Sequence, residues 1–280
     1  MCPLKWILPA FLFSISAIGN SASKTTLRGD RAATMIIPEL AQETNPVPLL
    51  IFLHGYGGNG SEYDSFLGLT KNVDKLGYAL LLPNGTRNSE GNRFWNATPA
   101  CCDFENSGID DAGYLADLID EAISKAPIDP KEVFIYGHSN GGFMSYRMAC
   151  DYPEKISGLV SISGVFYKEP DNCKNPSPLK VLQVHGNKDN VIPYEGNEAF
   201  ASVQASVEFW TKFNQCQSRV DEIDGLDVVS NIDGKDTDVS IWTQCRANSK
   251  VGLWSIKEAG HLPYFQPDWI ERTLKFFQDQ

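Results

Sequence analysis

Gly137-His138-Ser139-Asn140-Gly141 is the stretch of this chain whose residue types and spacing could carry covalent chemistry. A serine with glycine two residues before and two residues after it suits a turn too sharp for larger neighbours. The β-prone run Val133-Phe134-Ile135-Tyr136 leads into it, and Phe143, Met144, Tyr146 and Met148 follow at spacings suited to a buried helix. In a chain with 23 glycines the five-residue pattern alone carries little weight, but the strand before it and the helix after it mark a nucleophile elbow. The chemistry would be acyl transfer, with Ser139 Oγ attacking a carbonyl and the backbone N–H of Asn140, at a helix start, facing the oxyanion.

A serine hydroxyl needs a base, usually a histidine oriented by a carboxylate. The chain has four histidines. His54 lies in the glycine-rich loop His54-Gly55-Tyr56-Gly57-Gly58, the expected source of a second oxyanion donor, the N–H of Tyr56. His138 adjoins the nucleophile and cannot easily turn its ring onto its neighbour, and His185 ends a strand. His261 follows the last strand and alone completes the chain order Ser, Asp, His, so it is the expected base. Asp189, just beyond the strand Leu179–Val184, is the expected carboxylate, ahead of Glu195 and Asp238. Asp110 and Asp111 read as helix-start residues. The aromatics Tyr56, Trp95, Tyr194 and Tyr264 could line a substrate site, although aromatic residues are more often core.

The elements that must position these groups alternate along the chain. The continuous apolar run Pro48–Leu53 reads as a strand apolar on both faces, and Tyr78–Pro83, Leu159–Ser163, Leu179–Val184 and Gly252–Ile256 read as further strands. Between them, helical spacing begins at a Ser61 cap with Phe66, Leu69, Val73 and Leu76 on one face, and again at Leu115, Leu118, Ile119 and Ala122. Phe200, Val203, Val207, Trp210 and Phe213 are in register on another helix, and Pro267 to Phe277 form the last. Alternating strands and helices predict an α/β fold, a mostly parallel central sheet with helices on both faces. No repeat or composition break divides residues 24–280, which are expected to be one domain.

Residues 1–23 have the charge, apolar run and small-residue end of a secretory signal, cut between Gly19 and Ser23. The apolar run is too short to span a membrane comfortably, so the expected mature chain is exported. Cys101, Cys102, Cys150, Cys173, Cys216 and Cys245 then form an even set, expected to be disulfides, with fifteen pairings open. No spacing resembles a metal site and no cofactor is expected. The net charge of −11 argues against nucleic acid or an anionic membrane as partner and says little about a neutral ester.

From about Thr26 to the C-terminus the chain resembles the exported polyhydroxybutyrate depolymerase-like and feruloyl esterase-like α/β-hydrolases. The motifs that carry the resemblance are His54-Gly55-Tyr56-Gly57-Gly58, Pro83-Asn84-Gly85, Trp95-Asn96-Ala97, Cys101-Cys102-Asp103, Asp110-Asp111, Gly137–Gly142, His185–Asp189 and Gly260-His261. It implies an α/β-hydrolase fold, a Ser139, Asp189, His261 triad and a Cys216–Cys245 bridge. One departure is that such proteins often carry Trp-Pro soon after the histidine, where this chain has Leu262-Pro263-Tyr264-Phe265 beside the expected pocket. The expected activity is hydrolysis of hydroxyalkanoate or feruloyl-type esters through an acyl-enzyme. The alternatives are a peptidase on the same fold and a hydrolase-fold protein that binds without turnover.

Overall fold

The computed structural model describes residues 22–28, 31–221 and 225–278, so the expected leader lies outside the described residues except for Ala22 and Ser23. β1 (Ser23–Leu27) and β2 (Ala33–Ile37) form an antiparallel hairpin. β3 (Val47–Leu53) leads through α1 (Gly60–Leu67) and α2 (Leu69–Leu76) into β4 (Ala79–Leu82). A small hairpin of β5 (Thr86–Arg87) and β6 (Arg93–Phe94) precedes α3 (Asp111–Lys125). β7 (Ile128–His138) feeds α4 (Asn140–Asp151), followed by β8 (Gly158–Ile162), β9 (Lys180–Gly186) and α5 (Val203–Phe213). β10 (Ser218–Asp221), β11 (Thr237–Thr243), β12 (Lys250–Ile256) and α6 (Trp269–Gln278) close the chain.

Ten of these strands form one sheet in the order β1-β2-β4-β3-β7-β8-β9-β12-β11-β10. The six central strands from β4 to β12 are mutually parallel, and each flank carries two strands paired antiparallel. The continuous apolar runs follow from burial on both faces. In β3, Leu49, Ile51 and Leu53 join the core under α3, α4 and α5, while Leu50 and Phe52 join the core under α2 and α6. Helices on both faces of a largely parallel sheet are what the alternating pattern predicts.

Four details differ from the sequence reading. The expected single helix after β3 is two, divided at Gly68, whose φ of 65° closes α1, and its cap is Asn59, which accepts the Glu62 N–H, rather than Ser61. Phe200 lies ahead of α5, which Ser202 caps. The stretch between Cys216 and Cys245 contains β10 and β11, an antiparallel edge. Asp110 does cap α3 by accepting the Gly113 N–H, but Asp111 is buried, paired with Arg31 at 2.7 Å and accepting the Asn96 N–H. Its role is to tie the loop before α3 to the β1–β2 turn. The six cysteines pair as Cys101–Cys102, Cys150–Cys173 and Cys216–Cys245.

Candidate active site

The turn from β7 into α4 holds Ser139 at φ 53° and ψ −119°, a region costing a non-glycine residue about 1–3 kcal/mol. The two glycines are steric requirements. A Cβ on Gly137 would lie 2.0 Å from the Gly141 carbonyl oxygen, and one on Gly141 would lie 2.1 Å from that of Leu53. Ser139 N–H bonds the Ile162 carbonyl of β8 at 2.8 Å, which anchors the turn to the sheet. Asn140 is the first residue of α4, so its N–H has no partner within the helix.

Ser139, His261 and Asp189, 122 and 72 residues apart in successive pairs, meet at the carboxyl edge of the sheet. His261 Nε2 is 2.8 Å from Ser139 Oγ, and His261 Nδ1 is 2.8 Å from Asp189 Oδ2. Asp189 Oδ1 accepts the N–H groups of Val191 and Ile192, each at 2.9 Å. Burial alone would raise the Asp189 pKa, but hydrogen bonds from His185, His261 and Ile192 hold it well below the usual carboxylate range. The carboxylate therefore stays ionised and able to orient an imidazole and stabilise its protonated form.

The other three histidines are buried, and each supports one part of this arrangement. His54 Nδ1 lies 2.7 Å from the Gly55 carbonyl, and its Nε2 accepts the Gly85 N–H at 2.9 Å. Nδ1 therefore carries the proton, and burial lowers the pKa from 6.5 to about 4, keeping the ring neutral. Because the Gly55 carbonyl and the Tyr56 N–H belong to one planar peptide, His54 sets the direction of that N–H. His185 Nε2 lies 2.9 Å from the Ile192 carbonyl and 3.2 Å from Asp189 Oδ2, a second imidazole on the carboxylate. His138 reaches the backbone of His261.

The four aromatics named from sequence separate. Trp95 is a correction: it is fully buried, its indole N–H donates to the His54 carbonyl, and its backbone N–H and carbonyl are clamped by the Asn140 side chain. It braces the oxyanion loop and has no surface to offer a substrate. Tyr194 is half-buried and stands edge-on to His185 at 5.9 Å. Tyr56 is exposed, with its hydroxyl accepting from Asn88 and its ring 5.5 Å from Phe104. Tyr264 is exposed, 6.0 Å from the Phe66 ring, and lines a cleft of about 440 Å³ with Phe66 and Phe265. The Asn140 amide also reaches Cys101 Sγ at 3.5 Å, so the Cys101–Cys102 bridge sits behind the elbow.

Sequence reasoning missed the supporting roles of His54, His138, His185 and the Asn140 side chain. The signal available was weak: three histidines close in sequence to expected site residues, with no spacing that distinguishes a brace from a bystander.

Residues 37–225 match the phospholipase/carboxylesterase family of hydrolases, more than half of the chain, and the chain belongs to that family. Its fold is the α/β-hydrolase fold. Over 92% of its length it superposes on 99% of an acetyl xylan esterase from Aspergillus awamori with a TM-score of 0.66 at 16% identity. It is 27% identical to feruloyl esterase B of Piromyces equi over 76% of this chain and 39% of that protein. It is 31% identical to an acetylxylan esterase of Coprinopsis cinerea over 63% of this chain and 47% of that protein. The chain thus spans about half or less of the length of these two curated relatives.

Proposed function

We propose that the protein is an exported serine carboxylic-ester hydrolase that removes feruloyl or acetyl groups from plant cell-wall polysaccharide. The observation that carries the reading is the unbroken contact from Ser139 Oγ through His261 to Asp189, beside the N–H of Asn140, which has no partner within α4. In the first half-reaction Ser139 Oγ attacks the ester carbonyl as His261 Nε2 takes its proton, and the N–H groups of Asn140 and Tyr56 hold the oxyanion. His261 returns the proton to the departing alcohol, leaving an acyl-serine. In the second half-reaction water, deprotonated by His261, releases the acid and restores the serine.

The substrate class rests on the esterase relatives named above. Export rests on the leader pattern of residues 1–23 and on three disulfides, which persist in oxidising compartments. The test is kcat/KM of the leader-free protein on methyl ferulate, acetylated xylo-oligosaccharide and a soluble 3-hydroxybutyrate oligomer, with Ser139→Ala as blank. Serine-dependent turnover of either of the first two supports the reading. Preference for the third transfers the protein to polyester hydrolysis, and no serine-dependent turnover of any of them refutes the esterase assignment.

A further inference from the structure

Tyr63 and His138 form a hydrogen-bonded link that no part of the acyl-transfer cycle uses. Tyr63, in α1, places its hydroxyl 2.7 Å from His138 Nδ1, and His138 Nε2 lies 2.9 Å from the backbone carbonyl of His261. The Gly55 backbone packs against the same tyrosine oxygen: a Cβ on Gly55 would lie 2.6 Å from that oxygen and 3.1 Å from His138 Nδ1.

The proton positions follow from the partners. A carbonyl can only accept, so His138 Nε2 carries the hydrogen. A neutral imidazole then presents Nδ1 as an acceptor, so Tyr63 donates to it. Each hydrogen bond therefore has one compatible direction, from Tyr63 to His138 to the His261 carbonyl, with Gly55 packed on the tyrosine oxygen. The ring of His138 is almost fully buried, and burial together with the neighbouring His261 lowers its pKa from 6.5 to about 3, while burial raises that of Tyr63 to about 12. Both stay neutral across the range in which an esterase works, so the link does not titrate away.

We infer that Tyr63 and His138 are positioning residues that set the distance between the oxyanion loop and the catalytic histidine. The two ends of the link are the backbone of the residue before Tyr56 and the backbone of His261, which belong to loops after β3 and β12. Those strands are separated in the sheet by β7, β8 and β9, so no ladder bond joins the two loops directly. Transition-state stabilisation needs both at once, because the oxyanion donors and the base act on the same tetrahedral centre. A displacement of about 1 Å between such groups can cost about 10²-fold in rate.

This inference rests on the esterase reading, and the test separates the two. Wild type, Tyr63→Phe, His138→Gln and the double variant are compared for kcat and KM on 4-nitrophenyl acetate, with melting temperature recorded alongside. Tyr63→Phe retains the ring beside Phe52, 5.6 Å away, and so keeps its packing. Expected are a fall in kcat of about tenfold or more with KM within about twofold, and a double variant no slower than the slower single one, as links in one chain are non-additive. Unchanged kcat in Tyr63→Phe, a change confined to KM, or losses that multiply in the double variant would each overturn it. A ¹⁵N spectrum of wild-type His138 tests the geometry without turnover: protonation at Nδ1 instead of Nε2 would refute the link even in an inactive protein. An inactive wild type with the Nε2 tautomer would refute the esterase reading alone.

Discussion

The floor of the site and its rim are built on opposite principles. In the floor, Asp189, His185, His138 and His54 are buried and each polar atom has a defined partner. Around the rim, Tyr56, Phe66, Phe104 and Tyr264 are exposed aromatics in pairwise ring contact, with the Tyr56 hydroxyl also accepting from Asn88. A buried polar group that loses its partner suffers the full desolvation penalty, whereas an exposed ring that loses its neighbour suffers little. The floor therefore admits almost no substitution without loss of rate, and the rim can change with substrate while the chemistry beneath it persists.

The largest effect expected from that contrast is in Asp189→Asn. Val191 and Ile192 N–H groups would hold the amide oxygen in the place of Oδ1, turning the amide nitrogen towards His261. The imidazole would then present Nδ1 as acceptor and carry its proton on Nε2, facing Ser139. A kcat loss of about 10⁴-fold with melting temperature little changed is expected, measured on any ester the wild type turns over. A loss under tenfold would break the account of the floor.

A second test is stability against pH. His54 and His138 have folded pKa values near 4 and 3 against 6.5 unfolded, so between these limits the unfolded chain binds more protons than the folded one. Their contribution is complete above about pH 6.5 and is lost progressively as pH falls towards 3, in all several kcal/mol. Urea midpoints at pH 7, 5.5 and 4 should decline in that order, and a flat profile would contradict the buried neutral rings. The smallest effect belongs to the rim. Phe104→Ala removes a ring that is 66% exposed, and should leave kcat on a small acetate ester within about twofold and stability within about 0.5 kcal/mol. A large kcat loss there would erase the distinction between floor and rim.

Much of the floor was legible in the sequence. Gly137 and Gly141 point to the elbow because only a residue without Cβ tolerates carbonyls 2 Å from that position, a demand local enough for a five-residue pattern to record. His261 and Asp189 follow by elimination, since chain order leaves few candidates. Trp95 illustrates the opposite: an indole beside expected site residues reads equally well as a substrate platform or a brace. Its complete burial under the Asn140 amide decides for the brace. The antiparallel flanks were illegible for a related reason. β1 and β10 themselves mostly face solvent, so no apolar periodicity distinguishes them from loops.

Local sequence determined the parallel core, the elbow and the choice of Ser139, His261 and Asp189, which the fold brings into contact. These depend on burial along a strand, on sterics within one turn and on the order of elements, all of which are written in neighbouring residues. Tertiary structure alone decided the Cys101–Cys102 and Cys150–Cys173 pairs, the buried roles of Trp95 and Asp111, and the link from Tyr63 through His138 to His261. Those arise from groups up to 123 residues apart meeting across the sheet edge, where hydrogen-bond distance and not spacing selects the partner.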